Sequence, residues 1–123
     1  MKIRVYYEDT DAEGIVYYAN YFKFCERARS EIFFQAGAKP QKGECHFVVS
    51  KVEADYKGSA ELGDILEVST QPERIGKVYL ILKQEIKKDK KTIFSMKIKL
   101  AFLCKGKPSI IPREFLDLFR LET

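Results

Sequence analysis

The stretch ANYFKFCERARSEIFFQA, residues 19–36, decides the fold. Tyr21, Cys25, Ala28, Ile32 and Ala36 recur at steps of four, three, four and four, which sets them along one stripe of a helix. Phe22, Phe24, Phe33 and Phe34 widen that stripe. Arg27 and Glu31 stand at the i,i+4 spacing of a helical ion pair. Gly37 suits the left-handed position just past a helix, and Pro40 closes the region. A helix apolar over most of its circumference has to be wrapped by other elements.

Working outward, the flanking sequence supplies strands. Residues 2–7 alternate, with Ile3, Val5 and Tyr7 on one face and Lys2, Arg4 and Tyr6 on the other. Residues 45–56 carry His46, Val48, Val52, Ala54 and Tyr56 on one face. YKGSAELGD, residues 56–64, reads as a turn or loop. Strands are expected at 65–71 and 77–87, separated by Pro72 and Gly76, with Val78, Leu80, Leu82 and Ile86 sharing a face of the second. Residues 92–104 alternate throughout, with Phe94, Met96, Ile98, Leu100, Phe102 and Cys104 opposite Ser95, Lys97 and Lys99. Pro112 opens a short terminal helix that buries Phe115, Leu118 and Phe119. The order is strand, long helix, then four strands with short connections. It predicts an α+β domain in which a five-stranded antiparallel sheet curls around the helix. One domain spanning residues 1–123 accounts for the whole length.

The bulk properties remove several classes of function. No apolar run approaches the ~20 residues of a membrane-spanning helix. Met1-Lys2-Ile3-Arg4 runs straight into a strand pattern, unlike a secretion signal, so a cytoplasmic protein with no integral membrane contact is expected. Cys25, Cys45 and Cys104 are odd in number and widely spaced, which argues against a disulfide framework or structural zinc. His46 is the one histidine, and it reads as a strand or interface residue rather than a base. The net charge of +4 is mild, and its densest run, KKDKK at 87–91, falls where a hairpin turn belongs. No nucleic-acid partner is therefore expected.

Ahead of the helix, EDTDAE at residues 8–13 puts four carboxylates in six positions, followed by Gly14. The spacing is not that of a calcium loop and no histidine is near, so no metal is assigned. Asp9 reads as turn-stabilising, and Glu8 and Glu13 as solvated. Glu26 and Arg29 face away from the main stripe and read as a helix-borne salt bridge or interface pair, and Cys25 reads as core.

RVYYEDTDAEGIVYYANYFKFCERAR closely resembles the signature of the YbgC-like acyl-CoA thioesterases, in the 4-hydroxybenzoyl-CoA thioesterase branch of the hot-dog fold. The pattern Tyr-x-Asp-Thr-Asp-x-x-Gly-x-Val-Tyr runs from Tyr7 to Tyr17. The resemblance implies a sheet wrapped around a long central helix. It also implies homodimers, often paired into tetramers, with active sites at subunit interfaces. It makes Asp11 the catalytic carboxylate and sets the backbone N–H of Tyr18 against the thioester carbonyl. Many relatives have histidine where this chain has Tyr18, but a backbone donor needs no particular side chain.

The chemistry is consistent with these residues. A carboxylate can activate water or attack a thioester directly, and Asp11 suits either role. Free N–H groups at a helix start stabilise an oxyanion. Gly14 allows a tight turn between carboxylate and helix. Tyr7, Tyr17 and Phe22 are candidates to shape the acyl pocket, and Lys57, Arg74 and Lys77 to meet the phosphates of coenzyme A. The expected activity is hydrolysis of acyl-CoA to free acid and CoA, without a metal or organic cofactor. Two alternatives stand beside it. One is a hot-dog hydratase or dehydratase, which would call for a histidine in the motif. The other is an acyl-thioester-binding or envelope-associated interaction module with little turnover.

Overall fold

In a computed structural model, which describes residues 1–121, the expected helix spans Asn20–Gln35 (α1). It ends as Gly37 predicts. Gly37 has φ +75°, its N–H donates to the Phe34 carbonyl, and the Ala38 N–H donates to the Phe33 carbonyl. These two bonds close a Schellman motif. The Arg27–Glu31 ion pair does not form. Arg27 instead lies over the Phe24 ring, 5.9 Å from its centroid.

The strands are β1 (Lys2–Arg4), β2 (Gln41–Lys42), β3 (Cys45–Tyr56), β4 (Ile65–Ile75), β5 (Tyr79–Lys88), β6 (Lys91–Cys104) and β7 (Lys107–Pro108). They form one antiparallel sheet in the order β1-β4-β5-β6-β3-β2, with β7 beside β6. The five expected strands are all present, and two short ones extend the sheet. Its inner face (Leu66, Val68, Leu80, Leu82, Phe94, Met96, Ile98, Leu100 and Phe102) is buried with Tyr21, Phe24, Cys25, Ala28 and Phe33 of α1. The terminal helix α2 (Arg113–Leu121) sets Phe115 and Phe119 against Phe33, at ring distances of 5.2 and 5.5 Å. The last two residues of the expected 1–123 domain lie outside the described residues.

Three features of the strands differ from the expectation. The first strand stops at Arg4 because the chain turns into a 3-10 turn, Tyr7–Asp9, three residues later. β4 continues through Pro72 to Ile75, with a register shift between Pro72 and Arg74 that accommodates the missing donor. In β3 a bulge lies between Val49 and Lys51. Phe47 and Ala54 both pack on the core although they stand an odd number of positions, seven, apart. The extra residue turns the strand over midway, so His46 and Val48 leave the face that Ala54 and Tyr56 share.

The cysteine reading also needs correction. Cys45 and Cys104 are opposite one another in the β3–β6 register and form a disulfide. Sequence separation hid a pair that the antiparallel register brings together. Cys25 stays free and buried.

One polar network crosses the core. Gln84 of β5 is fully buried, and its amide donates to the Cys25 carbonyl and the Thr70 hydroxyl, both at 2.9 Å. Its Oε1 accepts from Arg29 at 3.0 Å. The Arg29 guanidinium therefore serves the sheet and is not salt-bridged to Glu26, whose carboxylate takes the Ser30 hydroxyl. Replacing Gln84 by Leu strands three polar partners at once, a loss of about 1–3 kcal/mol. Urea denaturation of Gln84→Leu should show a lower midpoint with unchanged slope, and a wild-type midpoint would contradict this role.

Candidate active site

The acidic loop folds into a tight hairpin. Tyr17 N–H donates to the Asp9 carbonyl, Thr10 bridges Val16, and Asp11 N–H donates to the Ile15 carbonyl. At the tip the Gly14 N–H returns to the Asp11 carbonyl at 3.0 Å. Gly14 has φ +82°, a conformation that side chains disfavour, which is why a glycine stands there.

The carboxylates of the loop separate by environment. Asp9 is only 6% exposed, and its Oδ2 accepts the Tyr6 N–H at 2.8 Å. Its carbonyl accepts both Tyr17 N–H and the Asn20 amide, each at 2.9 Å. Asp9 thus ties the end of β1, the hairpin and the first residue of α1 into one junction, as a turn-stabilising residue should. Asp11 is exposed, and its Oδ1 takes only the Glu13 N–H at 2.9 Å. The second oxygen points to no protein donor among the described residues. Glu8 and Glu13 are exposed.

Tyr18 lies between the hairpin and α1. Among the described residues its N–H donates no hydrogen bond. The groups around it are held: Tyr17 carbonyl accepts Asn20 N–H at 2.8 Å, and Tyr18 carbonyl accepts the Tyr56 hydroxyl at 2.9 Å. Tyr56 was not singled out from sequence as a site residue, because a tyrosine ending an alternating strand looks like packing. An aromatic belt continues from here, with Tyr17 on Tyr18 at 4.9 Å, Tyr18 on Tyr56 at 6.2 Å and Tyr56 on Phe94 at 5.1 Å. Hydrogen bonding to the neighbouring Tyr18 hydroxyl raises the Tyr17 phenol above its ordinary range.

The loop between β3 and β4 closes the same end of the molecule. Ala60 carbonyl accepts Val16 N–H, Ile15 bridges Glu61, and Tyr21 hydroxyl accepts Ala60 N–H. Lys57 opens this loop and shares an end with Asp11. Arg74 and Lys77 sit at the far end of β4. At ~3.3 Å per residue, the eleven residues of β4 set them on the order of 30 Å away within one chain. Phe22 packs edge-on against Phe94 at 5.6 Å and lines a groove of about 330 Å³ between α1 and β3, with Val49, Val52, Met96 and Ile98. Tyr7 is 80% exposed and contributes its carbonyl to Thr10. Neither Cys25 nor His46 joins this group. Burial, partly offset by Arg29, pushes the Cys25 thiol up to about 12, which leaves it inert as a nucleophile. Among the described residues no cluster of His, Cys, Asp and Glu is arranged to hold a metal ion.

The sequence matches the thioesterase superfamily over residues 13–94. It is 42% identical to the acyl-CoA thioesterase YbgC of Helicobacter pylori, an alignment that covers 96% of this chain and 97% of that one. It is 35% identical to the acyl-CoA thioesterase YbgC of Haemophilus influenzae, covering 95% and 90%. The fold superposes on the crystal structure of a hypothetical protein from Aquifex aeolicus with a TM-score of 0.89 at 26% identity, covering 97% of both chains. The chain belongs to the thioesterase superfamily. The matched segment starts two residues beyond Asp11.

Asp64 holds the closing loop in place. Its Oδ2 accepts Glu61 N–H at 2.7 Å and pairs with Lys88 at 2.8 Å. Burial raises its pKa, but the Lys88 ammonium and the Glu61 amide outweigh it, and the net shift is below the ordinary 3.8. A depressed carboxylate adds stability above its unfolded value and loses it as pH falls through the folded value. Melting temperature followed downward from pH 6 should therefore fall below about pH 4, and Asp64→Asn should flatten that limb. Identical acid limbs would contradict the assignment.

Proposed function

We propose that this protein is an acyl-CoA thioesterase in which Asp11 is the catalytic carboxylate and Tyr18 N–H receives the thioester carbonyl. The observation that carries this reading is the pairing of an exposed carboxylate with a backbone N–H that finds no acceptor among the described residues, at the two ends of one hydrogen-bonded hairpin. Asp11 either activates water or attacks to form a mixed anhydride that water then opens. In both routes negative charge develops on the carbonyl oxygen. A preorganised N–H beside the start of α1 is aimed at that charge. Tyr17 and Phe22 flank the acyl group, Lys57 meets a phosphate of CoA at the mouth, and neither metal nor organic cofactor takes part. Tyr7 and Gly14 act through the fold of the loop.

The site is completed by a second copy of the chain. Beyond its two-residue pairing with β2, the outer edge of β3 has no neighbour in the sheet among the described residues. Val49, Val52 and Tyr56 along it are 53%, 37% and 45% exposed beside the Phe22 groove. Edge-to-edge pairing of two β3 strands would cover this surface and bring the partner's basic residues, including those at its Arg74 and Lys77 end, into play. A bare binding module has no use for an exposed carboxylate and an open N–H on one hairpin.

Two measurements test the reading. With a chain-length panel of acyl-CoA and thiol detection, Asp11→Asn should lower kcat by roughly 10²–10⁴. Equal thiol release would overturn the role of Asp11, and loss of wild-type activity with a chelator would overturn the metal-free mechanism. Light scattering should give a dimer or tetramer for the wild type. Val52→Asp should shift it towards monomer and depress thiol release in parallel; full activity as a monomer would overturn the shared site.

A further inference from the structure

The geometry points to Tyr56 as a positioning residue for the oxyanion donor: its hydroxyl, by holding the Tyr18 carbonyl, keeps Tyr18 N–H aimed at the substrate. The inference rests on the thioesterase reading of the site and adds a residue to it. Tyr18 has two backbone peptides, and each is pinned on its carbonyl side. The preceding one is held by the Tyr17 carbonyl to Asn20 N–H. The following one is held by the Tyr18 carbonyl to Tyr56. Tyr18 N–H lies in the same peptide plane as the Tyr17 carbonyl, which the Asn20 bond orients, while the Tyr56 bond fixes the next plane and with it the Tyr18 Cα from which that N–H turns. The Asn20 bond belongs to the first turn of α1 and is reinforced by the Asn20 amide on Asp9. The Tyr56 bond is the only one of the two that reaches Tyr18 from a separate element.

Tyr56 is well placed for this task. It ends β3, where Tyr56 pairs with Phe94 in the β6 register, and its ring rests on Tyr21 at 5.9 Å and Phe94 at 5.1 Å. The core side of the ring is thus fixed while the hydroxyl reaches the hairpin. Burial and the nearby Tyr18 phenol raise its pKa, so the hydroxyl remains a donor at any pH near neutrality. No atom of Tyr56 has to touch the reacting carbonyl. The hydroxyl restricts the conformations in which the N–H is misaligned, an effect expressed only where the oxyanion forms.

The test is Tyr56→Phe, which keeps the ring and removes the hydroxyl. Removing an oxyanion donor outright costs about 10²–10³, so loosening one should cost less, about tenfold in kcat, with KM unchanged. Melting temperature and assembly mass should stay at wild-type values. In a Tyr18→Pro background, which lacks the N–H altogether, Tyr56→Phe should cost nothing further. An unchanged kcat, a rise in KM without loss of kcat, or a full tenfold loss in the Tyr18→Pro background would each overturn the assignment. Asp11→Asn measured alongside separates the two levels. If it is inactive while Tyr56→Phe equals wild type, only the role of Tyr56 falls. If it equals wild type, the catalytic reading of the site falls with it.

Discussion

The backbone carbonyl of Asp9 is the constraint on which the candidate site depends. It accepts one bond from the hairpin, through Tyr17 N–H, and one from the helix, through the Asn20 amide. The Asp9 carboxylate meanwhile takes the N–H of Tyr6 at the start of the 3-10 turn. A nearly buried carboxylate would be costly without a donor, and the Tyr6 amide offsets that cost. Three elements that also meet in the core, through Val5, Val16 and Tyr21, are thereby locked together. The position of Asp11 at one end of the hairpin and of Tyr18 at the other follows from this lock.

The core explains the rest of the arrangement. The sheet curls over α1, and the loop between β3 and β4 crosses the helix start because β3 and β4 are not neighbours in the sheet. That crossing brings Ala60 and Glu61 against Val16 and Ile15, and Asp64 with Lys88 secures it. Apolar packing therefore supplies the scaffold, and a small set of backbone hydrogen bonds at one end supplies the site. The edge of β3 and the groove beside Phe22 are the remaining unfinished surface, and they adjoin that end through Tyr56.

Much of this was legible in the sequence, for physical reasons that differ between elements. The helix from 20 to 35 and the strand ending at Cys104 were readable because burial on one face leaves an unbroken period. The hairpin turn at Asp89 and Lys90, both with positive φ, was readable from its charge alone, although it lacks the usual glycine. Bulges were not readable: the one after Val49 reverses the face of His46 and Val48, and no local residue type announces it. Pro72 was misread as a break because a strand can carry proline where the register shifts. The Cys45–Cys104 pair and the Tyr56–Tyr18 bond are long-range facts of register, invisible to any local pattern. Within the acidic loop, composition could not distinguish Asp9 from Asp11. The motif singled out Asp11, and burial now separates the two.

The central claim is that the thioester carbonyl docks on Tyr18 N–H with the side chain of residue 11 beside it. A crystal structure of Asp11→Asn soaked with an acyl-CoA would test this most directly. The account predicts intact thioester with its carbonyl oxygen about 2.7–3.1 Å from Tyr18 N and the residue 11 carboxamide facing the carbonyl carbon. A thioester bound elsewhere, with Tyr18 N–H still undonated, would contradict it.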